Sequence, residues 1–385
     1  MNNPTNYTTL LVSYLDFFDA PSEIPFMYKK AGHRVVIFCC ETSWLKSNRF
    51  HDEWIDASKD KQEFATALIK LVKEKGDSFN KVVLLDDETI KLITDNIGDD
   101  EVELFKKVMP INKIENREML SSKIGMSRVF ERNGIKTPRY INYADESDIN
   151  VIEANLDFPV LLKVDFSFSG IGIRKCEAPS ELKEKLEELH DSTNVVIQEF
   201  ITGEDVGVEA LFEQGKLICY QCAQVMNYMN NQFSFTTKRK YYRNKKVEEI
   251  LIQLGKRVGL NSFASIGFIY HQERDAYYLI EVDARTNSWM PYSRFTNHSF
   301  IDGLHEIAFG KTNRKALSEA EENKEIEIAI FDRDMRRCMK TKDFGGMLKW
   351  VYNYKGYWRF IPLYDWTFFK RIMRKMIFDF LKIKY

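Results

Sequence analysis

The chain has 385 residues, of which 44% are hydrophobic and 29% are charged, which is typical of a soluble globular protein with two or three domains. Its net charge of −1 excludes a bulk attraction to nucleic acid. The sequence contains no run of 18 apolar residues, so we expect no transmembrane helix.

The N-terminus lacks the basic start, apolar run and small-residue cleavage site of a signal peptide. The six cysteines form no disulfide pattern and no pair of metal-binding motifs. We therefore expect a cytoplasmic protein with reduced cysteines, and its oligomeric state stays open.

The first 115 residues predict a small α/β domain. Short β-branched runs at 8–14, 34–39 and 81–88 alternate with segments such as 64–75, which has helical apolar spacing. This alternation predicts a Rossmann-like domain with a parallel sheet over residues 1–115. No G-x-G-x-x-G turn follows the first strand, so a dinucleotide site is not expected.

The middle of the chain predicts an α+β region. Residues 116–138 predict a helix that ends at Gly134, and residues 179–190 predict another with Ser180 as its N-cap. A further helix is expected over 245–259. The predicted strands are 158–165, 194–201, 206–213, 216–225, 265–272 and 276–284.

Residues 311–385 predict a C-terminal extension that is helical and rich in aromatic residues. Its last segment has apolar residues at helical spacing, and the polar side is expected to carry Lys370, Arg371, Arg374 and Lys375. Such a helix can lie on an anionic membrane or dock onto its own protein, and both interpretations stay open.

A serine- and glycine-rich loop follows the predicted strand that carries Lys163. Small residues let backbone N–H groups approach phosphate oxygens, and the lysine adds a positive charge. The alternative is a glycine-rich hairpin. The loop residues are Ser167, Ser169, Gly170 and Gly172.

A second polar segment follows the predicted strand over 194–201. Backbone groups at a strand exit can contact the edge of a base, and the acid Asp205 beyond the turn can hold ribose hydroxyls. An ordinary hairpin with solvated acids is the alternative.

Glu281 and Asp283 alternate on a predicted strand, so their carboxylates point to one face. Two like charges side by side are stabilised by a cation, and Arg285 follows on the same face. This pattern suits Mg²⁺ and a transferred phosphoryl group. A surface cluster of ion pairs is the alternative.

The order and spacing of these segments resemble the ATP-grasp family over residues 115–300. The resemblance implies an ATP-grasp fold, with subdomains over 116–192 and 193–310. It also implies that Lys123 and Lys163 contact nucleotide phosphates and that the loop from Ser167 to Gly172 closes over them.

The same resemblance implies the remaining site residues. Adenine would contact the segment made of Gln198, Glu199, Phe200 and Ile201, and Asp205 would bind ribose. Glu281 and Asp283 would be metal ligands, with Asp283 at a position where the family has Asn. Arg285 matches the arginine that follows this pair in the family and would be catalytic.

The sequence departs from the family on the preceding strand, where another acidic metal ligand is usual and Gly267 falls near that position. We expect the charge of Asp283 to compensate. In the basic run 238–240, Lys238 is a candidate catalytic residue that meets the γ-phosphate or an acidic substrate, and a solvated hairpin is the alternative.

The function implied is an ATP-dependent carboxylate–amine ligase that works through an acylphosphate, with ATP and Mg²⁺ or Mn²⁺ as cofactors. Its substrates would be a small carboxylate and a small amine, with an amino acid joined to a cell-wall or surface-glycan precursor as one hypothesis. The alternative is a catalytically weak ATP-binding pseudoenzyme that acts as a scaffold.

Overall fold

The computed structural model describes residues 7–144, 148–167, 170–189, 194–310 and 324–381, together with Ser318 and Glu321. Within these ranges helices and strands combine in the mixed α/β and α+β arrangement that was predicted. No helix in the described ranges is long and apolar enough to span a membrane.

The N-terminal part contains a four-stranded sheet in the order β3-β2-β1-β4. All neighbours in this sheet are parallel, as the sequence predicted. Its elements are β1 Thr8–Val12, α1 Ile24–Lys30, β2 Arg34–Cys39, β3 Glu53–Asp56, α2 Lys61–Lys75, β4 Lys81–Leu84, α3 Asp87–Asn96 and α4 Val102–Val108. Strand β3 was not predicted, because it is a short edge strand with no buried residue.

A second four-stranded sheet has the order β5-β8-β6-β7, and its neighbours are antiparallel. Its strands are β5 Tyr140–Tyr143, β6 Val160–Val164, β7 Ile173–Cys176 and β8 Val195–Glu199. The helices of this region are α5 Lys123–Arg132, α6 Asp148–Asn155 and α7 Leu182–Glu187. An apolar cluster that includes Leu162 and Ile197 joins α6 and α7 to the sheet, whereas Val129 and Phe130 of α5 belong to the largest core of the protein.

Two predicted helices of this region begin later than expected. The chain forms a 3₁₀ turn over Ile114–Met119 and breaks at Ser121, whose φ is 62°, before α5 starts with Ser122 as its N-cap. Ser180 lies inside a 3₁₀ turn and caps nothing, so α7 starts only at Leu182. The predicted stop at Gly134, with φ 61°, is confirmed.

The central sheet has six strands in the order β13-β12-β9-β10-β11-β14. These strands are β9 Glu204–Glu213, β10 Lys216–Tyr228, β11 Thr236–Tyr242, β12 Phe263–His271, β13 Ala276–Asp283 and β14 Ile326–Ala329. Helix α8, Lys245–Val258, contacts β10 and ends at Gly259 with φ 85°, as predicted. Its residues Val247 and Leu251 share the largest apolar core with Val206 and Val208 of β9.

The C-terminal helices are α9 Phe300–Phe309, α10 Phe331–Thr341, α11 Phe344–Val351 and α12 Trp366–Leu381. Helix α12 docks on the protein through Phe368, Ile372 and Met376, which pack against Trp44. The prediction that all four of its basic residues lie on the opposite, polar side is wrong for two of them. Arg371 and Lys375 lie over the Trp44 ring, with distances of 4.2 and 5.1 Å from the charged group to the ring centre.

Candidate functional site

One face of the central sheet carries acids, glycines and cations, whereas the other face packs in the core. In register across β9, β12 and β13, Gly207 pairs with Gly267 and Gly267 pairs with Glu281. One step along, the next row contains Glu209, Ser265 and Asp283. The period of two along each strand puts both rows on the same face.

The carboxylates of β13 lie beside Arg285. This arginine forms ion pairs with Asp283 at 3.1 Å and with Asp87 at 2.6 Å. Asp87 is the first residue of α3, so the arginine links the N-terminal sheet to the central one. The pKa of Asp283 is raised to about 7, chiefly by burial and also by the negative charges of Asp87 and Glu281, against the opposing effect of Arg285.

Lys123, the first residue of α5, and Lys163 of β6 interact electrostatically with the same carboxylates. Burial lowers the pKa of both ammonium groups, and that of Lys163 falls to about 8, although the negative charge of Glu281 acts on each in the opposite direction. Lys163 donates a hydrogen bond of 2.7 Å to Oε1 of Gln198. The structure thus brings two predicted phosphate ligands and the predicted metal ligands into one electrostatic site.

The loop after Lys163 is held by Lys123. The ammonium of Lys123 donates to the backbone carbonyl of Ser167 at 2.9 Å and lies 3.3 Å from its hydroxyl. Gly170 has φ 73°, and a Cβ there would lie 2.3 Å from the carbonyl oxygen of Phe233, so this loop needs glycine.

Gly172 is equally restricted, because a Cβ would lie 2.6 Å from the hydroxyl of Ser167. The predicted ligand Ser169 lies outside the described residues.

The predicted adenine segment lies at the exit of β8. Glu199 forms an ion pair with Arg139, and the backbone N–H of Phe200 donates to the carbonyl of Pro159 at 3.0 Å. Ile201 is partly buried and follows directly.

Asp205, the predicted ribose ligand, accepts a hydrogen bond from the Tyr228 hydroxyl. Burial raises the pKa of this carboxyl, and the Tyr228 hydrogen bond lowers it.

Lys238 is not brought into this cluster, because it lies on the other face of β11. Its ammonium pairs with Glu327 at 2.7 Å. Its neighbour Arg239 does reach the cluster: it is buried and donates to Glu209 at 2.6 Å. A Cβ on Gly207 would lie 2.8 Å from the Arg239 guanidinium, so the arginine covers this glycine.

Arg239 is fixed on three sides. Besides the Glu209 contact, its Nε donates to the Thr236 hydroxyl at 2.9 Å, and its guanidinium lies 4.6 Å from the centre of the Trp289 ring. The indole N–H of Trp289 donates to the same hydroxyl at 2.9 Å. A guanidinium held in this way is preorganised to bind an anion.

Sequence reasoning missed Asp87, Glu209 and Asn287, and it named Arg239 only together with Lys238 and Lys240 in the basic run 238–240. The side-chain amide of Asn287 donates to Glu209 at 2.9 Å and to Ser265 at 3.0 Å. Asn287 could have been predicted from the sequence, because it follows Arg285 by two residues and so continues the two-residue period of Glu281 and Asp283. Asp87 gave none, because only tertiary contact brings the start of α3 to this site.

A cavity adjoins this site at the end of the segment that follows β13. Ser288 lines it together with residues from the loop after β1 and from the C-terminal helices. Arg333 donates to Ser288 at 2.7 Å and to Asp19 at 3.1 Å. Burial would raise the pKa of Asp19, but Arg333 and Lys375 hold it well below its usual range. The cavity therefore has acidic and basic walls.

Residues 120–288 match the family model described as an ATP-grasp domain. The D-alanine–D-alanine ligase of Aquifex aeolicus is 26% identical over 40% of this chain and 54% of its own. The carbamoyl-phosphate synthase of Methanobrevibacter smithii is 22% identical over 44% of this chain and 47% of its own. This chain thus spans about half the length of these two relatives.

Solved structures show the same fold over most of the chain. The N5-carboxyaminoimidazole synthetase of Staphylococcus aureus, complexed with ADP, superimposes with a TM-score of 0.58 over 82% of this chain and 81% of its own, at 16% identity. The family match identifies residues 120–288 as an ATP-grasp domain, and the likeness to the synthetase shows that the chain has the ATP-grasp fold.

Proposed function

We propose that this protein is an ATP-dependent ligase that activates a carboxylate and joins it to an amine. The observation that carries the proposal is the convergence of Lys123, Lys163, Glu281, Asp283 and Arg285 on one face of the central sheet. Opposed cations and carboxylates in one site suit the transfer of a phosphoryl group, whose charge must be neutralised from both sides.

In this proposal ATP lies between the second sheet and the central sheet. Lys123 and Lys163 bind its phosphates beneath the loop that ends at Gly172. Adenine lies against the exit of β8, near Gln198, and Asp205 binds the ribose. The family match, which includes all of these residues, supports this arrangement.

Glu281 and Asp283 fit a magnesium ion. No group of three or more His, Cys, Asp or Glu able to hold a metal ion is found in the described ranges. Mg²⁺ commonly uses one or two carboxylates and takes its other ligands from phosphates and water. The metal, Mg²⁺ or Mn²⁺, would neutralise phosphate charge.

The proposed reaction has two steps. A substrate carboxylate oxygen attacks the γ-phosphorus of ATP. The bond between this phosphorus and the β–γ bridging oxygen breaks, ADP is released, and an acylphosphate forms. The amine nitrogen then attacks the acyl carbon, inorganic phosphate leaves, and the nitrogen loses a proton. Arg285 and Arg239 would stabilise the negative charge that develops on oxygen in both steps.

We propose that one of the substrates is an amino acid. The name of the D-alanine–D-alanine ligase relative agrees with an amino-acid substrate. The acceptor in this proposal is a cell-wall or surface-glycan precursor, and a lipid-linked precursor would require the protein to contact a membrane surface.

The test is phosphate release from ATP and Mg²⁺ across a panel of amino acids paired with amines and acidic sugars. We expect one pair to stimulate release and Glu281→Ala to abolish it. The matched control is Glu249→Ala, which removes an exposed acid from α8 and should leave release unchanged. Release that persists in Glu281→Ala would contradict the assigned site.

The second candidate is a nucleotide-binding scaffold with weak catalysis. It is favoured by Gly267, where the family usually has an acid and where a Cβ would lie only 2.9 Å from Cγ of Glu281. Nucleotide binding without turnover on any pair in the panel would favour the scaffold. Absence of nucleotide binding would contradict both candidates.

A further inference from the structure

The exposed apolar surface of the protein is concentrated near its C-terminus. Ten of the seventeen large hydrophobic side chains that are exposed in the described ranges lie within residues 344–381. A concentration of exposed apolar side chains in one segment is typical of an interaction site. The ten are Phe344, Leu348, Val351, Tyr352, Tyr354, Trp358, Leu363, Trp366, Ile377 and Leu381.

Helix α11 turns an apolar face outward. Phe344, Leu348 and Val351 follow helical spacing and are 68%, 51% and 60% exposed. The opposite side of the same helix packs against the protein, because Trp350 is buried and its indole N–H donates a hydrogen bond of 2.8 Å to Asp334. The outer face of α11 is therefore left exposed by the packing of the described residues.

Helix α12 also presents an outer stripe. Trp366, Lys370, Arg374, Ile377 and Leu381 are exposed at helical spacing, so two cations lie between apolar ends. This alternation is typical of a helix that lies in the interface of a bilayer.

The inner side of α12 clamps it to the N-terminal region. Arg371 donates to the backbone carbonyls of Thr42 at 2.7 Å and Ser43 at 2.9 Å. Lys375 forms an ion pair of 2.5 Å with Asp19. The outer stripe is therefore held in place by contacts that do not involve it.

A basic cleft lies beside this stripe. Its lining consists of Ser47, Thr367, Lys370, Arg371 and Arg374, with three cations, two hydroxyls and no acid. No described carboxylate lies within ion-pairing distance of Lys370 or Arg374, whereas Lys375 and many other lysines pair with one. Cations without an acidic partner, such as Lys370 and Arg374 beside the Thr367 hydroxyl, can bind a phosphate group.

We propose that residues 344–381 form a membrane-binding surface, in which the basic cleft holds a lipid phosphate and the apolar side chains enter the bilayer interface. The segment carries seven Lys and Arg against two Asp, on a chain with a net charge of −1. This charge is complementary to an anionic bilayer. The inference deepens the membrane contact of the proposed function, but it needs no catalytic activity.

Co-sedimentation with vesicles of phosphatidylcholine, with or without phosphatidylglycerol, tests the proposal. We expect binding to the anionic vesicles only. Lys370→Gln with Arg374→Gln should weaken it about thirtyfold, because each cation near an anionic surface contributes about a factor of five. The matched control is Lys216→Gln with Lys256→Gln, which removes two exposed lysines elsewhere and should bind as the unaltered protein does.

Each other outcome contradicts the proposal. Equal binding to neutral vesicles would rule out the headgroup cleft, and equal weakening in the control would reduce the effect to net charge. Binding of glycerol phosphate without vesicle binding would assign the cleft to a soluble phosphate. A dimer that Leu348→Asn dissociates, without vesicle binding, would assign the apolar face to a second copy.

Failure of the ligase assignment gives a different result. Glu281→Ala should lose phosphate release and keep vesicle binding, and the Lys370 and Arg374 variant should do the reverse when release is measured without lipid.

Discussion

The protein carries two groups of cations that differ in burial and pairing. In the ATP-grasp domain Lys163, Arg239 and Arg285 are largely buried, and each meets an acid or an amide oxygen. On the C-terminal helix Lys370 and Arg374 are exposed and have no described acidic partner. Both groups suit phosphate chemistry, but only the first is preorganised.

This difference shows how one chain can use lysine and arginine side chains in two ways, in a buried site and on an exposed surface. Buried charges are costly to desolvate and need paired acids, and in return their positions are fixed and weakly screened. Exposed charges act additively, tolerate substitution and lose strength in salt. We therefore expect single substitutions to have large effects at the first group and graded effects at the second.

The largest expected effect comes from Arg285→Met. The change leaves the partly exposed carboxylates of Asp87 and Asp283 near each other without their shared cation. We expect phosphate release to fall about a thousandfold and the free energy of unfolding to fall by about 1–3 kcal/mol, because solvent partly screens both carboxylates. Steady-state kinetics and urea unfolding measure the two quantities.

Arg285→Lys is the control, since it keeps the charge and should recover part of both losses. A loss of release below tenfold in Arg285→Met would show that the paired arginine is not part of the catalytic arrangement.

A smaller loss of phosphate release is expected at β11, where Arg239 and Lys238 are neighbours on opposite faces of the strand. Arg239→Met should lower release about a hundredfold, because it removes a preorganised guanidinium beside Gly207. Lys238→Met should change release less than about threefold, because its ammonium pairs with Glu327 on the other face. Parallel kinetics on the two variants would decide between them, and the reverse order would restore Lys238 as the catalytic candidate.

These two neighbours also mark what the sequence could predict. Glu281 and Asp283 were grouped correctly on one face, because a period of two along a single strand requires no partner. Which of Lys238 and Arg239 meets the site depends on how β11 pairs with β10, and that pairing shifts register near Asn227. A shift of one residue exchanges the faces, and no local signal announces it.

The same limit applies to the fold. The parallel N-terminal sheet was predictable, because its strands are continuous apolar runs. The break before α5 was not, because Ser121 takes a positive φ without a glycine or proline to mark the turn. The contact of Asp87 with Arg285 joins residues far apart in the chain, and only the packed structure reveals it.

The buried and the exposed cations should also differ in how their binding of phosphate groups depends on pH. Burial lowers the pKa of Lys163 to about 8, so its ammonium is charged below that pH and neutral above it. Because the charged form binds phosphate, the affinity for ATP should fall about tenfold between pH 7 and pH 9. Calorimetric titration across this range measures the fall.

Lys163→Met should bind ATP weakly at every pH and lack this transition. Vesicle binding should stay level over the same range, because exposed lysines and arginines keep their charge there. An ATP affinity that is independent of pH in the unaltered protein would contradict the role of Lys163.

The smallest expected effect is on stability, at Leu348→Asn. Leu348 is 51% exposed on the outer face of α11, so its replacement removes little buried surface and should change the free energy of unfolding by less than about 0.5 kcal/mol. Trp350→Ala in the same helix is the contrast, because Trp350 is buried and bonded to Asp334, and its loss should cost about 3–5 kcal/mol. Urea unfolding compares the two. If Leu348→Asn destabilised the fold as much as Trp350→Ala, the outer face would belong to the core and could not be free for a membrane.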